Sequence, residues 1–308
     1  MTFKLSTFVK SSVTLGTLLL AASASAGDNV NTGRAEVYKQ LAPQSLENVS
    51  ARAEVLKLGA PNLAPTHIWK VLEHGEKLEC LACVPVVSKL LYSNNAKTRE
   101  ISAWWLRRRI FGVFGPGQVY EQTLNTLGNA QESESHRVYA ANALGEFLTG
   151  SGVPALSKAV VSDASPAVRT AAVAGLERLN SSGAAGELAM ALTDSDADVR
   201  LAALHAATRI NSFTDVASVV ALISDSSSLV RRRAAETLGT MKATDAVAGL
   251  IALASTDQES DATVRTSAIW ALGQIGDPAA RDVILDAQHE ADPSVRSAAN
   301  IAARMLRL

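Results

Sequence analysis

Asp194-Ser195-Asp196-Ala197-Asp198-Val199-Arg200-Leu201-Ala202-Ala203-Leu204-His205-Ala206-Ala207-Thr208-Arg209-Ile210 runs from acids, through a helix-capping residue, into an alanine-rich amphipathic helix opened by Val-Arg. The pattern returns along the chain. With the arginine as marker, equivalents stand at Arg99, Arg137, Arg169, Arg200, Arg231, Arg265 and Arg296, at spacings of 38, 32, 31, 31, 34 and 31 residues. A period in this range is the signature of stacked repeats, each too small to bury its apolar face alone.

Four residues before every marker stands a residue able to cap a helix: Asn95, Ser133, Ser165, Asp196, Ser227, Asp261 and Asp292. Such side chains accept hydrogen bonds from the unpaired N–H groups of the first turn. Pro166 and Pro293 follow two of them at the first helical position, where a missing N–H costs nothing. Three residues after the marker comes Ala140, Ala172, Ala203, Ala234, Ala268 or Ala299, with Ser102 in the first repeat. Seven after it, Leu106, Leu144, Leu176, Ala207, Leu238, Leu272 and Ala303 continue the apolar stripe. Each marker therefore sits in the second helix of a pair. The first helices are expected near Val84 to Tyr92, Gln118 to Leu127, Val153 to Val161, Ala184 to Leu192, Asp215 to Ile223, Ala246 to Leu253 and Pro278 to Ala287.

Six residues before the marker an acid recurs: Asp163, Asp194, Asp225, Glu259 and Glu290 precede Arg169, Arg200, Arg231, Arg265 and Arg296. Acid and guanidinium at fixed offset predict a structural ladder, each carboxylate meeting an arginine of its own or the adjacent repeat. A catalytic group would occur once, not in every unit.

These features resemble HEAT repeats, and more closely the short bacterial HEAT-like repeats also found in phycobilin lyases, over roughly Val84 to Leu306. The resemblance implies an all-α solenoid of about seven stacked helical hairpins that offers a surface to other proteins. Some HEAT-like proteins are di-iron hydroxylases with His-Glu pairs on several repeats. Here His289-Glu290 is the one such pair, and Glu290 already belongs to the acid ladder.

At the amino end, Lys4 and Lys10, an apolar run from Val13 to Ala22 and Ala24-Ser25-Ala26 read as a secretory signal over residues 1–26. The run is shorter than the ~20 residues of a membrane span. Residues 27–79 are read as an N-terminal cap, with a helix around Leu46 to Leu58, and 80–308 as the solenoid. Losing Lys4 and Lys10 takes the 29 basic residues to 27 against 30 acidic, which does not favour nucleic acid as partner. An exported chain, periplasmic or secreted, with no membrane insertion after cleavage is the expectation.

Three features depart from the repeat. Cys80 and Cys83 are the two cysteines, and in an oxidising compartment a local disulfide is the leading reading, ahead of zinc with His67 and His74 or a redox dithiol. The stretch from Ala103 to Gly117 gathers Trp104, Trp105, Arg107, Arg108, Arg109, Phe111 and Phe114, with Trp105, Phe111 and Phe114 read as sealing the core. Five residues after each marker runs a mixed column: Trp104, Asn142, Ala174, His205, Glu236, Trp270 and Ile301. With Arg107, Arg108 and Arg232, its members Trp104, His205, Glu236 and Trp270 are the candidate contacts for a protein partner of unknown identity. No phosphate loop, zinc-protease helix or nucleophile elbow is present, so the expectation is a non-catalytic scaffold with no cofactor. The alternative is an accessory or maturation factor using thiol chemistry or metal at Cys80 and Cys83.

Overall fold

The computed structural model describes residues 52–78, 80–110 and 117–308. The expected leader, most of the expected helix from Leu46, and Phe111 and Phe114 lie outside the described residues. Among the described residues there are sixteen α-helices and no strand. The chain divides into two compact units between Cys83 and Val84.

The first unit holds α1 (Arg52–Lys57), α2 (Pro65–His74) and a 3₁₀ turn (Leu81–Cys83). Val55, Leu58, Ile68, Val71 and Leu72 form its core together with the two cysteines. Cys80 and Cys83 are joined by a disulfide, with both residues buried. Zinc coordination is thereby excluded in this state, because the thiolates that would hold it are bonded to each other.

The second unit is a run of seven helical hairpins. Its first helices are α3 (Val84–Leu90), α5 (Gln118–Gly128), α7 (Val153–Ser162), α9 (Ala185–Leu192), α11 (Val216–Ala221), α13 (Val247–Ala254) and α15 (Arg281–Ala287). Its second helices are α4 (Ala96–Ile110), α6 (Glu134–Glu146), α8 (Pro166–Leu179), α10 (Ala197–Ala207), α12 (Ser228–Met241), α14 (Ala262–Ile275) and α16 (Pro293–Leu306). The expected pairs are all present. Their ends differ, because short 3₁₀ turns such as Leu222–Ser224 and Pro278–Ala280 replace α-helical ends.

Six of the seven expected caps form. Asn95, Ser133, Ser165, Asp196, Asp261 and Asp292 accept from N–H groups of the following turn. Ser227 is the exception: its side chain makes no cap bond, and its own N–H is instead held by Asp225 Oδ1 at 2.8 Å. The alanines three after the markers are buried, as are Leu144, Leu176, Leu238 and Leu272 of the second stripe.

Second helices pack on one another far more closely than first helices do. Glycine makes the closest approaches. A Cβ on Gly145 would stand 2.8 Å from Gly175 Cα, one on Gly239 2.8 Å from Ala271 Cα, and one on Gly273 2.9 Å from Ala302 Cα. Each glycine lies eight residues after a marker. That position is Glu177 in α8 and Thr208 just past the end of α10, and there the α8–α10 and α10–α12 packing is looser.

Candidate functional site

The ladder occupies one edge of the hairpin stack, in the loops before the second helices. It runs between repeats. Arg169 Nε and Nη2 donate to Asp194 at 2.7 and 2.8 Å, and Arg200 repeats the bidentate pair on Asp225 at the same two distances. Arg231 grips Glu259 at 2.6 and 3.0 Å, and Arg265 grips Glu290 at 3.3 and 2.8 Å. Arg137 pairs with Asp163, a rung the sequence reading did not assign because residue 131, six before Arg137, is glutamine.

Each arginine also holds its own loop. Nη1 donates to the carbonyl six residues back: Arg169 to Asp163 at 2.9 Å, Arg200 to Asp194 at 2.7 Å, Arg231 to Asp225 at 2.8 Å and Arg265 to Glu259 at 2.9 Å. The offset of six thus selects a backbone carbonyl in the arginine's own repeat, while the carboxylate reaches the arginine before it. Each acid in turn accepts the N–H two residues on, as Asp194 Oδ1 does from Asp196 at 2.8 Å.

Burial works to raise the Asp194 and Asp225 carboxyls, but hydrogen bonds from Arg169, Arg200 and the backbone outweigh it and hold both below the usual range. The Arg231 hydrogen bonds hold Glu259 low against its burial. The charges of the four bidentate rungs, Arg169–Asp194, Arg200–Asp225, Arg231–Glu259 and Arg265–Glu290, are satisfied within the stack.

The second-helix side is different. Every member of the mixed column reaches solvent: Asn142, Ala174, His205, Trp270 and Ile301 are exposed, and Trp104 and Glu236 are half-buried. His205 Nδ1 lies 2.8 Å from Glu177, whose other oxygen meets Arg209 Nε at 3.3 Å. On α6, burial pushes the Glu146 carboxyl up despite Arg178 of α8 at 2.7 Å.

Around Trp270, an open groove of about 800 Å³ lies across α12, α14 and α16. Trp270, Ala298 and Ile301 give it an apolar strip. Thr240, Thr266, Ser267, Ser294 and Ser297 give a hydroxyl rim. Glu236 ties its polar end together: it accepts from Arg233 at 3.0 Å and Ser267 at 3.3 Å, with Arg232 Nε at 3.7 Å. Trp270 is 36% exposed, one of the large apolar side chains left in solvent.

The candidates divide accordingly. Glu236 and Trp270 come together at this groove, with Arg232 beside Glu236 but outside the lining; His205 sits two helices away on α10, and Trp104, Arg107 and Arg108 on α4. Trp105 is fully buried, with Arg109 stacked 3.4 Å above its ring centre and donating to its carbonyl. Sequence reasoning missed Arg233 and the hydroxyls, which come from other offsets on three successive helices and converge only on stacking. Among the described residues no cluster of three or more His, Cys, Asp or Glu is placed to hold a metal ion, and no helix is long and apolar enough to cross a membrane.

Comparison with solved structures bears on the fold. The Escherichia coli protein YibA aligns with 86% of this chain and 97% of its own at 18% identity and a TM-score of 0.57. Yeast importin-β, Kap95p, aligns with 89% of this chain at 14% identity and a TM-score of 0.60, over 43% of its own length. Kap95p solved with RanGDP gives a TM-score of 0.64 at 15% identity, over 89% of this chain and 42% of its own. Kap95 with Nup1 gives 0.60 at 15% identity, over 98% and 44%. No curated protein sequence matches the chain. The HEAT-repeat family profile matches residues 121–208 and 216–304, more than half of the sequence, and the chain belongs to the HEAT-repeat family.

Proposed function

We propose that the protein is an exported, non-catalytic scaffold that binds another protein on the side formed by its second helices, with the Trp270 groove as principal contact. The observation that carries this reading is the column at five after the marker, which stays in solvent in every hairpin and changes chemistry from one to the next. A stack needing only stability would repeat itself there, as it does along the ladder. The exposed tryptophan beside clustered arginines has the composition in which binding energy concentrates. The importin-β structures of the same fold are complexes with proteins, RanGDP and Nup1, in keeping with a protein partner. Export rests on the leader read from the sequence, and mass spectrometry of the mature amino terminus, expected near Gly27, tests it.

Thiol exchange at Cys80 and Cys83 fits less well, because attack on a disulfide needs access and Cys83 is completely buried. Chemical cross-linking of the protein in its own cells tests the scaffold reading. Replacing Trp104, Arg232 and Trp270 together should abolish capture of the partner. Undiminished capture by that variant would move the contact elsewhere.

A further inference from the structure

The ladder has one more arginine than it has acids. Arg137, Arg169, Arg200, Arg231 and Arg265 are each filled by a carboxylate of the following hairpin. Arg296 on α16 is held in the same way by its own loop, Nη1 donating to the carbonyls of Glu290 at 2.6 Å and Ala291 at 2.7 Å. Its Nε and Nη2 edge, which takes the carboxylate in Arg169, Arg200, Arg231 and Arg265, has no acceptor among the described residues. Glu290 cannot serve, because both its oxygens are taken by Arg265.

The surroundings change in the same hairpin. Four residues after the marker, Ala141, Val173, Leu204, Ala235 and Ile269 are all buried, but α16 has Asn300, exposed. Eight after it, where other hairpins place Gly145, Gly239 or Gly273, stands the exposed Arg304, and Arg307 follows. Arg296, Asn300 and Arg304 line one side of the helix at spacings of four, and Arg307 stands just past its end in the left-handed conformation. This face is cationic and polar where its equivalents bury against another hairpin.

We propose that the outer face of α16 docks an acidic segment of a partner protein, with an Asp or Glu of that segment seated in the Arg296 fork as Asp194, Asp225, Glu259 and Glu290 are in theirs. The four bidentate rungs define the ligand. It is a carboxylate presented at the end of a loop, two residues ahead of a helix cap, as Asp194 stands before Asp196 and Glu259 before Asp261. Arg304 and Arg307 favour further acids along the segment. A bidentate fork distinguishes this from general attraction to negative charge, because lysine cannot reproduce it.

The probe is a synthetic peptide copying residues 193–210 of this chain, added to the full-length protein while the arginine Nε–Hε signals are followed by NMR. The Arg296 signal is assigned by its disappearance in Arg296→Lys. The expected result is a saturable shift of that signal, with binding weakened roughly tenfold or more when the peptide carries Asp194→Asn, as loss of a charge-assisted pair requires. Because that change is in the peptide, the comparison of the two peptides does not need a folded Arg296→Lys, and Arg296→Gln supplies the assignment if the lysine variant unfolds. Equal shifts from both peptides, or from acetate at the same carboxylate concentration, would mean a merely solvated arginine and overturn the proposal. A dimer that Arg296→Lys dissociates would also overturn it, assigning the face to a second copy of this chain. Neither result bears on capture through Trp270, so the two readings fail independently.

Discussion

Arg169, Arg200, Arg231 and Arg265 all do the same thing: each clamps its own loop and one carboxylate of the next hairpin. Five residues further along the same helices, Ala174, His205, Glu236 and Trp270 share only that each reaches solvent, Glu236 being half-buried. The loop edge is thus under a geometric constraint that repeats with the stack, while the second-helix side is free of it. The contrast predicts that substitutions on the two sides are costly in different currencies: the first in stability, the second in partner binding.

The largest effect is expected at a central rung. The Arg200 and Asp225 side chains are 10% and 7% exposed, so Asp225→Ala leaves a buried guanidinium edge without an acceptor and also frees the Ser227 N–H. Removing one partner of a buried pair costs about 3–5 kcal/mol, to be read as a lowered urea midpoint. The double change Arg200→Met with Asp225→Leu should recover much of the loss, since no charge remains unpaired. A single variant no less stable than wild type would break the contrast at its root.

Next come the glycines that let the second helices meet. Gly239→Ala puts a methyl 2.8 Å from Ala271 Cα and should cost about 1–3 kcal/mol by overpacking. Gly186, on α9, has nothing within 4 Å of its would-be Cβ, so Gly186→Ala should be neutral or stabilise by up to about 1 kcal/mol. Thermal denaturation of the two variants separates close approach from ordinary helix propensity.

Acid titration should distinguish the two sides by sign. Asp194, Asp225 and Glu259 are held below their unfolded values, so the unfolded chain binds more protons near pH 4. Their contribution is complete above the unfolded carboxylate range and is lost as pH falls through the depressed native values. Glu146, raised by burial, acts oppositely: protonation on acidification favours its folded form. Stability measured from pH 6 to pH 3 should fall less steeply in Asp194→Asn than in wild type, and more steeply in Glu146→Gln. Parallel profiles for all three proteins would remove the electrostatic part of the contrast.

Much of the loop edge was legible in the sequence, because a fixed offset along one helix is a local property. Which acid meets which arginine was not, since pairing depends on the reach between hairpins. The rung from Arg137 to Asp163 escaped for that reason, and so did the surplus of Arg296. Ser227 is a cap by residue type alone, and nothing in the structure explains why its side chain makes no cap bond, since Asp196 caps although its N–H is held in the same way. Alanine three after the marker was correctly read as core, whereas the tightest contacts belong to glycine eight after it. On the second-helix side, single column members such as Trp270 could be named from spacing. The groove could not, because Arg233, Ser267 and Ser297 reach it from three helices.

The smallest expected effect on stability lies on that side. Arg233 and Glu236 are 43% and 32% exposed and sit three residues apart on α12, so Arg233→Gln should change stability by no more than about 0.5 kcal/mol. His205→Gln should behave alike, since the imidazole is 47% exposed and Glu177 retains Arg209. Partner capture is where these changes should register, and unequally. Arg233 lines the Trp270 groove and anchors the carboxylate that orders its polar end, so its loss should weaken capture more than loss of His205, two helices away. Equal weakening would spread the contact along the whole column rather than concentrating it at α12, α14 and α16. A stability loss at Arg233 as large as that at Asp225 would mean the second-helix side is held together by its charges too, and the distinction between the two sides would fall.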